Sequence, residues 1–312
     1  VATDRYVCAD AIELVEVDYE ELPVVTDPFK ALEPGAPVLR EDLAGQTSGA
    51  HGARRHHNHI FLWETGDEAA TNQAIGDAEV VAEEMIYYHR VHPCPLETCG
   101  CVASMDKVNG KLSLFGTFQA PHVVRTVASL LSGIEEHNIR VVSPDIGGGF
   151  GNKVGVYPGY VCSIVASIVT GKPVKWIEDR MDNLMATAFA RDYWMKGKIS
   201  ATRDGKITGL HCHVTADHGA FDACADPTKF PAGFFHIFTG SYDYPAAYCN
   251  VKAVYTNKAP GGVAYACSFR ITEAAYVIER IVDFRDTHGD DRFVDIRYQD
   301  LVADPLACVQ RI

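Results

Sequence analysis

The sequence predicts a mixed α/β protein, and three observations carry that reading. Two Gly-containing dipeptides, Asn109-Gly110 and Asp204-Gly205, each sit between alternating apolar segments, the pattern of β-hairpins. A segment opened by Pro121 and closed by Gly133 has helical spacing. A strand-like run, 139–143, is followed by a glycine-rich bend, 147–151, and then by a helix-like run, 157–170.

In chain order, Ala9, Ala11, Ile12, Leu14 and Val15 suggest one side of a helix, and residues 14–19 a strand ending at Leu22-Pro23. Residues 34–58 hold Gly, Pro and polar residues with little periodicity and read as a linker. Alternation resumes at 59–63 and 78–86 as two strands. The first hairpin pairs 102–108 with 111–116, with Asn-Gly as a two-residue turn, and the second pairs 196–201 with 206–214. Residues 251–255 form a further strand, and 273–284 a helix with Ala275, Ile278, Ile281 and Val282 on one face. No internal repeat is visible.

Composition narrows the function. The 312 residues carry a formal charge of −13 with 47% hydrophobic residues, which excludes disorder and argues against a nucleic-acid-coating or anionic-membrane role. The longest apolar run, 161–169, is too short for a membrane span, so a soluble acidic protein is expected. Both ends, beginning on Val1 and finishing on VQRI, read as cut, the pattern of a fragment. The ten cysteines are scattered through a large domain, the pattern of reduced core or site thiols rather than a disulfide framework.

Several clusters can carry chemistry. In Asp145-Ile146-Gly147-Gly148-Gly149-Phe150-Gly151-Asn152-Lys153, glycines permit close backbone approach and free amides attract anions. The spacing fits neither the phosphate-loop nor the dinucleotide fingerprint, which leaves a tight turn and an anion cradle both open. The segment HRVHPCPLETCGC (His89, His92, Cys94, Cys99, Cys101) resembles a zinc ligand set, but its Cys-x-Cys spacing favours core or pocket thiols. The run Arg54-Arg55-His56-His57-Asn58-His59 reads as a solvated or packed loop before a metal site. Cys267, after Gly261-Gly262 and before Arg270, sits where a thiolate is favoured, and a soft thiolate suits Cu(I), although the residues alone favour a buried structural cysteine.

Six segments in register then point to one family: TFQAPH (117–122), SPDIGGGFGNK (143–153), ADHGAFDACADP (216–227), GSYDYP (240–245), VYTNK (254–258) and AYACSFR (264–270). Together they resemble the molybdenum-binding large subunit of aerobic carbon monoxide dehydrogenase, in the xanthine oxidase family. The resemblance runs from residue 1 to about 283. It implies an α+β molybdopterin-binding domain preceded by part of an α/β hammerhead-like domain: 1–33 hammerhead-like, 34–58 linker, 59–283 first molybdopterin-binding domain. It implies catalytic roles for Gln119 and Cys267, with Gln119, Gly148, Gly149, Phe150, Gly151, Ala266, Cys267, Ser268, Phe269 and Arg270 against the cofactor and Cys267 holding copper. The implied cofactors are molybdopterin cytosine dinucleotide with molybdenum, and Cu(I). The implied reaction oxidises CO with water to CO2, passing electrons to [2Fe-2S] and FAD groups on a small and a medium subunit in a dimer of heterotrimers. The implied location is cytoplasmic, with peripheral association at the inner membrane face left open. Two departures stand out: Ala266 occupies a position where the family usually has Arg, and no residue matches the glutamate base, which the family supplies from its C-terminal half. Residues 284–312 depart altogether, resembling the end of a sulfotransferase in RFVDIRYQDLVADPLACVQRI, which reads as a junction with foreign sequence. The resemblance leaves two alternatives, a related aldehyde or heterocycle hydroxylase without copper and an inactive fusion or truncation product.

Overall fold

The computed structural model describes residues 1–41, 57–220, 238–239 and 243–261. Its strands form two sheets. In the first, β1 (His59–Gly66) pairs antiparallel with β9 (Ala247–Tyr255), and β9 runs parallel to β8 (Ile207–Gly219). Then β8 pairs antiparallel with β7 (Tyr193–Ala201), and β7 with β2 (Val80–Tyr88), giving the order β1-β9-β8-β7-β2. Alternation puts Phe61, Ile86, Met195, Val214, Val251 and Tyr255 into one buried cluster. Helix α2 (Glu68–Gly76), which Asp67 caps by accepting from the Ala70 amide at 2.9 Å, packs on β8 and β9.

The second sheet has the order β5-β4-β3-β6: β5 (Ile139–Val142), β4 (Lys111–Gly116), β3 (Gly100–Asp106) and β6 (Val174–Ile177). Strands β4 and β5 are parallel, joined by helix α3 (Pro121–Ser132), whose Pro at the first turn and left-handed Gly133 at the end match the sequence reading. Helix α4 (Pro158–Thr170) packs on β3 and β6, closing a core of Cys99, Cys101, Leu112, Leu114, Val124, Tyr160 and Ile164. Helix α5 (Arg180–Ala186) follows β6 and leads back to β7.

At the N-terminus helix α1 (Arg5–Glu13) forms as expected, capped by Asp4, but buries none of its residues. Residues 14–19 do not form the expected strand: they pair with no described strand, and Leu14, Val15, Val17 and Tyr19 are exposed. The chain is first tied down at Val25, whose amide donates to Asn257 Oδ1 at 2.8 Å while its carbonyl accepts from the Asn257 amide at 2.8 Å. The Asn-Gly hairpin also differs from expectation. Asp106 pairs with Lys111, so the turn spans 107–110 rather than two residues. Its cause is the Asp106 carboxylate, which accepts from the amides of Val108 and Asn109 (2.9 and 3.2 Å) and opens the turn early. Elements α2, α5 and β6 were not signalled by periodicity, and the helix read at 273–284 lies outside the described residues.

Candidate functional site

The glycine bend 147–151 crosses between β5 and α4, held from one side by Gln119, just before α3, and from the other by Glu97, just before β3. It stops short of the start of α4, so the expected helix-terminal amides are not those of the bend. Gln119 Oε1 accepts from the amides of Gly151 and Lys153 at 2.9 and 3.0 Å, and the Gln119 amide donates to Lys153 O at 2.9 Å. A Cβ on Gly149 would overlap Gln119 Cδ, and one on Gly147 would lie 2.7 Å from Glu97 Cβ, so the bend depends on glycine for close approach. Gly148, Phe150 and Gly151 all have positive φ (92°, 52° and 91°), and Phe150, without glycine's freedom, holds its ring out, 65% exposed. The Gly148 amide is turned to Ile146 O, whereas the amides of Gly149 and Phe150 donate to no described group. Two unspent donors on a close-packed bend beside a glutamine are the donor set for an oxygen-rich anionic ligand.

Lys153, completely buried, places Nζ 2.6 Å from Glu97 Oε2, which also accepts from the Gly147 amide at 2.8 Å. The Lys153 ammonium, and secondarily the Gly147 amide, hold the Glu97 carboxyl below its ordinary value against the opposing effect of burial. Lys153 therefore acts inside the bend, as a cation neutralised by Glu97, and is not offered to a ligand.

Beneath the bend runs a lattice of neutral amides and hydroxyls. Asn152 Nδ2 donates to Thr187 Oγ1 (2.7 Å) and Ala188 O (3.3 Å); its Oδ1 accepts from Asn183 Nδ2 (3.2 Å), and its carbonyl from Tyr157 OH (2.5 Å). Asn183, on α5, also donates to Glu178 Oε2 (2.7 Å), which accepts in turn from the Cys99 amide (2.9 Å). Arg180, at the start of α5, reaches across to Pro95 O and Leu96 O (2.6 and 2.9 Å), so the residues before Glu97 are fixed by the same helix.

A second polar cluster is ionic. Asp192 and Asp217, both buried, face Arg90 and Lys258: Arg90 Nε is 2.7 Å from Asp192 Oδ2, and Lys258 Nζ is 3.0 Å from an oxygen of each aspartate. Tyr87 OH donates to Asp192 at 2.9 Å, and Thr256 Oγ1 to Asp217 at 2.7 Å. Arg90 also donates to the carbonyls of Ala259 and Asp217, so the cluster fixes the backbone just beyond β9. Residues 187–190 join the two clusters: Asn152 bonds Thr187 and Ala188, while the Phe189 amide donates to Pro260 O at 2.8 Å. The Gly261 amide donates to His218 O at 2.7 Å.

Of the residues assigned to the site, the structure gathers Gln119, Gly148, Gly149, Phe150 and Gly151 into one cradle. Ala266, Cys267, Ser268, Phe269 and Arg270 lie outside the described residues. In the HRVHPCPLETCGC segment, Cys99 and Cys101 are core thiols, pushed by burial up to about 12 and about 11, while Cys94 is exposed. Among the described residues no three His, Cys, Asp or Glu side chains gather around a metal position. Of the histidine run, Asn58 and His59 are buried; Asn58 Nδ2 donates to Ala31 O and Pro37 O (3.0 and 2.7 Å). Sequence reasoning missed Glu97, Asn183, Thr187 and Glu178 as supports of the bend. Asn152 and Lys153 followed the glycines in the motif, but nothing in local spacing shows that they turn inward.

Residues 51–285 match the family described as molybdopterin cofactor-binding domain, and the chain belongs to it. It is 70% identical, over 283 residues, to the carbon monoxide dehydrogenase large chain of Hydrogenophaga pseudoflava, covering 91% of this chain and 35% of that protein. It is 65% identical, over 302 residues, to the corresponding chain of Afipia carboxidovorans, covering 97% of this chain and 37% of the relative. A solved structure, reconstituted CO dehydrogenase from Oligotropha carboxidovorans, superposes with a TM-score of 0.85 at 68% identity, over 90% of this chain and 35% of the other. The chain thus spans about a third of the length of these relatives.

Proposed function

We propose that this chain is the part of a molybdenum–copper carbon monoxide dehydrogenase large subunit that seats the pterin cofactor and presents copper. The observation that carries the reading is the bend at 147–151, with two unspent amides beside Gln119, in a chain 70% identical to a carbon monoxide dehydrogenase large chain. The residues present fit the cofactor: glycines remove the Cβ atoms that would block close approach, and neutral amides face an anionic ligand while Lys153 balances the nearby Glu97 carboxylate. Gln119 and the amides of Gly149 and Phe150 would hold molybdopterin cytosine dinucleotide, and Cys267 would hold Cu(I), a soft cation suited to thiolate and to CO. When bound, the two metals supply the two-electron chemistry that oxidises CO with water to CO2.

The protein's own share is positioning. Gln119 Oε1 is spent on the amides of Gly151 and Lys153, which leaves its Nε2 amide hydrogens to face the cradle. Cys267 follows Gly261 by six residues, a reach of roughly 20 Å at most. Because residues 187–190 tie Pro260 to the lattice under the bend, that reach starts from the region of the cradle. In this reading residues 1–33 complete a hammerhead-like domain, 34–58 link it to the molybdopterin-binding domain at 59–283, and 284–312 form a tail that the six family motifs do not reach. Electrons pass to [2Fe-2S] and FAD groups on small and medium subunits, in a cytoplasmic dimer of heterotrimers. Among the described residues no helix is long and apolar enough to cross a membrane.

The test is metal analysis and CO-dependent dye reduction on the assembled complex containing this chain. Molybdenum and copper together, with copper and CO oxidation both lost in Cys267→Ser, are expected. Molybdenum without copper, with aldehyde or heterocycle oxidation in place of CO oxidation, would replace the reading by a related hydroxylase, in line with Ala266 at the position before Cys267.

A further inference from the structure

We propose that His211 and His213 form a two-histidine site for a zinc-class divalent cation on the outer face of β8, remote from the cofactor cradle in sequence and independent of the function assigned to it. Two residues apart on a strand, they project from the same face, opposite the buried Cys212 and Val214, and their ring centroids are 4.2 Å apart.

Each ring is oriented by an amide on a neighbouring element. His211 Nδ1 lies 2.9 Å from Asn72 Oδ1 on α2, and His213 Nδ1 lies 2.9 Å from Asn250 Oδ1 on β9. A carboxamide oxygen only accepts, so both Nδ1 atoms carry the proton and both Nε2 atoms keep their lone pairs. This is the tautomer and the supporting bond that a metal-ligating histidine uses. His211 is 94% buried, and its Nε2 has no hydrogen-bond partner. A buried acceptor left without a donor is costly unless something else fills its lone pair, and a cation does so.

Across the strand pair, Glu83 holds both Lys198 and Lys196, at 2.7 and 2.5 Å, so the two ammonium groups opposite the histidines are turned to one carboxylate. His213 is exposed, which gives the cation an entry path and leaves its remaining coordination positions to water. Bound there, a cation would tie α2, β8 and β9 together through the two asparagines.

The experiment is a Zn2+ titration of the full chain, followed by the nitrogen resonances of 15N-labelled histidine, which separates imidazole ligation from binding by the chain's cysteines. One equivalent of Zn2+ is expected to shift Nε2 of both His211 and His213. His213→Ala, at an exposed position, should abolish both shifts without changing thermal unfolding in the absence of metal. Asn250→Ala should weaken the affinity about 10- to 100-fold through loss of the orienting bond alone. Zn2+ uptake that leaves both Nε2 resonances unmoved, or that is the same in His213→Ala, would overturn the site, as would an affinity unchanged in Asn250→Ala.

Discussion

The two polar clusters that frame the candidate site solve the same problem by different chemistry. Under the glycine bend, Asn152, Asn183, Thr187 and Tyr157 hold position chiefly through neutral amides and hydroxyls, joined at Asn183 by the Glu178 carboxylate and the Arg180 guanidinium. Beyond β9, Asp192 and Asp217 are gripped by Arg90 and Lys258 in an ionic cluster whose carboxylates are buried. The lattice itself adds little charge under the bend, and the Glu97 carboxylate on the Gly147 amide is matched by Lys153, which leaves the Gly149 and Phe150 amides to receive an anion. The ionic cluster stands behind a backbone segment that has to stay fixed, and there strength against displacement matters more than a neutral field.

The comparison breaks most visibly at Asp217. It is fully buried and receives Lys258, Thr256 Oγ1 and the Gly219 amide. Asp217→Ala leaves Lys258 and Arg90, both partly exposed, sharing a single carboxylate, and is expected to cost about 3 kcal/mol, the low end for a broken buried pair. Urea unfolding of the variant measures it; a loss under about 1 kcal/mol would mean that the cluster is wetter than its burial suggests. Asn152→Ala probes the neutral side. It strands Thr187 and Asn183 without adding a charge, so a smaller loss of about 1–3 kcal/mol is expected in the same measurement. If Asn152→Ala proved the costlier of the two, the contrast between ionic and neutral supports would fail.

The two clusters also differ in how far the amino-acid sequence displays them. The bend announces itself, because consecutive glycines between a strand and a helix have a physical cause that operates within nine residues. Helix α3 is equally legible, since Pro121 and Gly133 act on their own backbone. The ionic cluster is invisible in one dimension: Arg90, Asp192, Asp217 and Lys258 are separated by tens of residues and look like ordinary surface charges until β2, β7, β8 and β9 assemble. The short strand β6 failed for a related reason, as four residues are too few for a period to show. Residues 14–19 mislead in the opposite sense, carrying an apolar content that no described strand uses. Cys267, the residue with the most chemistry to offer, lies outside the described residues, so its role rests on the family resemblance and on the anchoring of Pro260 and Gly261.

The smallest expected effect belongs to Glu97, which makes an ionic contact at the bend itself. Lys153 and the Gly147 amide lower its carboxyl from the ordinary value. A carboxylate lowered on folding stabilises fully above its unfolded value, and that contribution is lost as pH falls through the lowered folded value. The Glu97 side chain is 41% exposed, so solvent screening keeps the contribution under about 1 kcal/mol even though Lys153 is buried. Stability measured by urea unfolding should therefore decline slightly more steeply in the parent than in Glu97→Gln as pH drops from neutrality into the acid carboxylate range, with the two curves converging at the acid end. Parallel curves would mean that the Lys153–Glu97 pair contributes nothing to folding and serves only to keep the Lys153 ammonium turned away from the cradle.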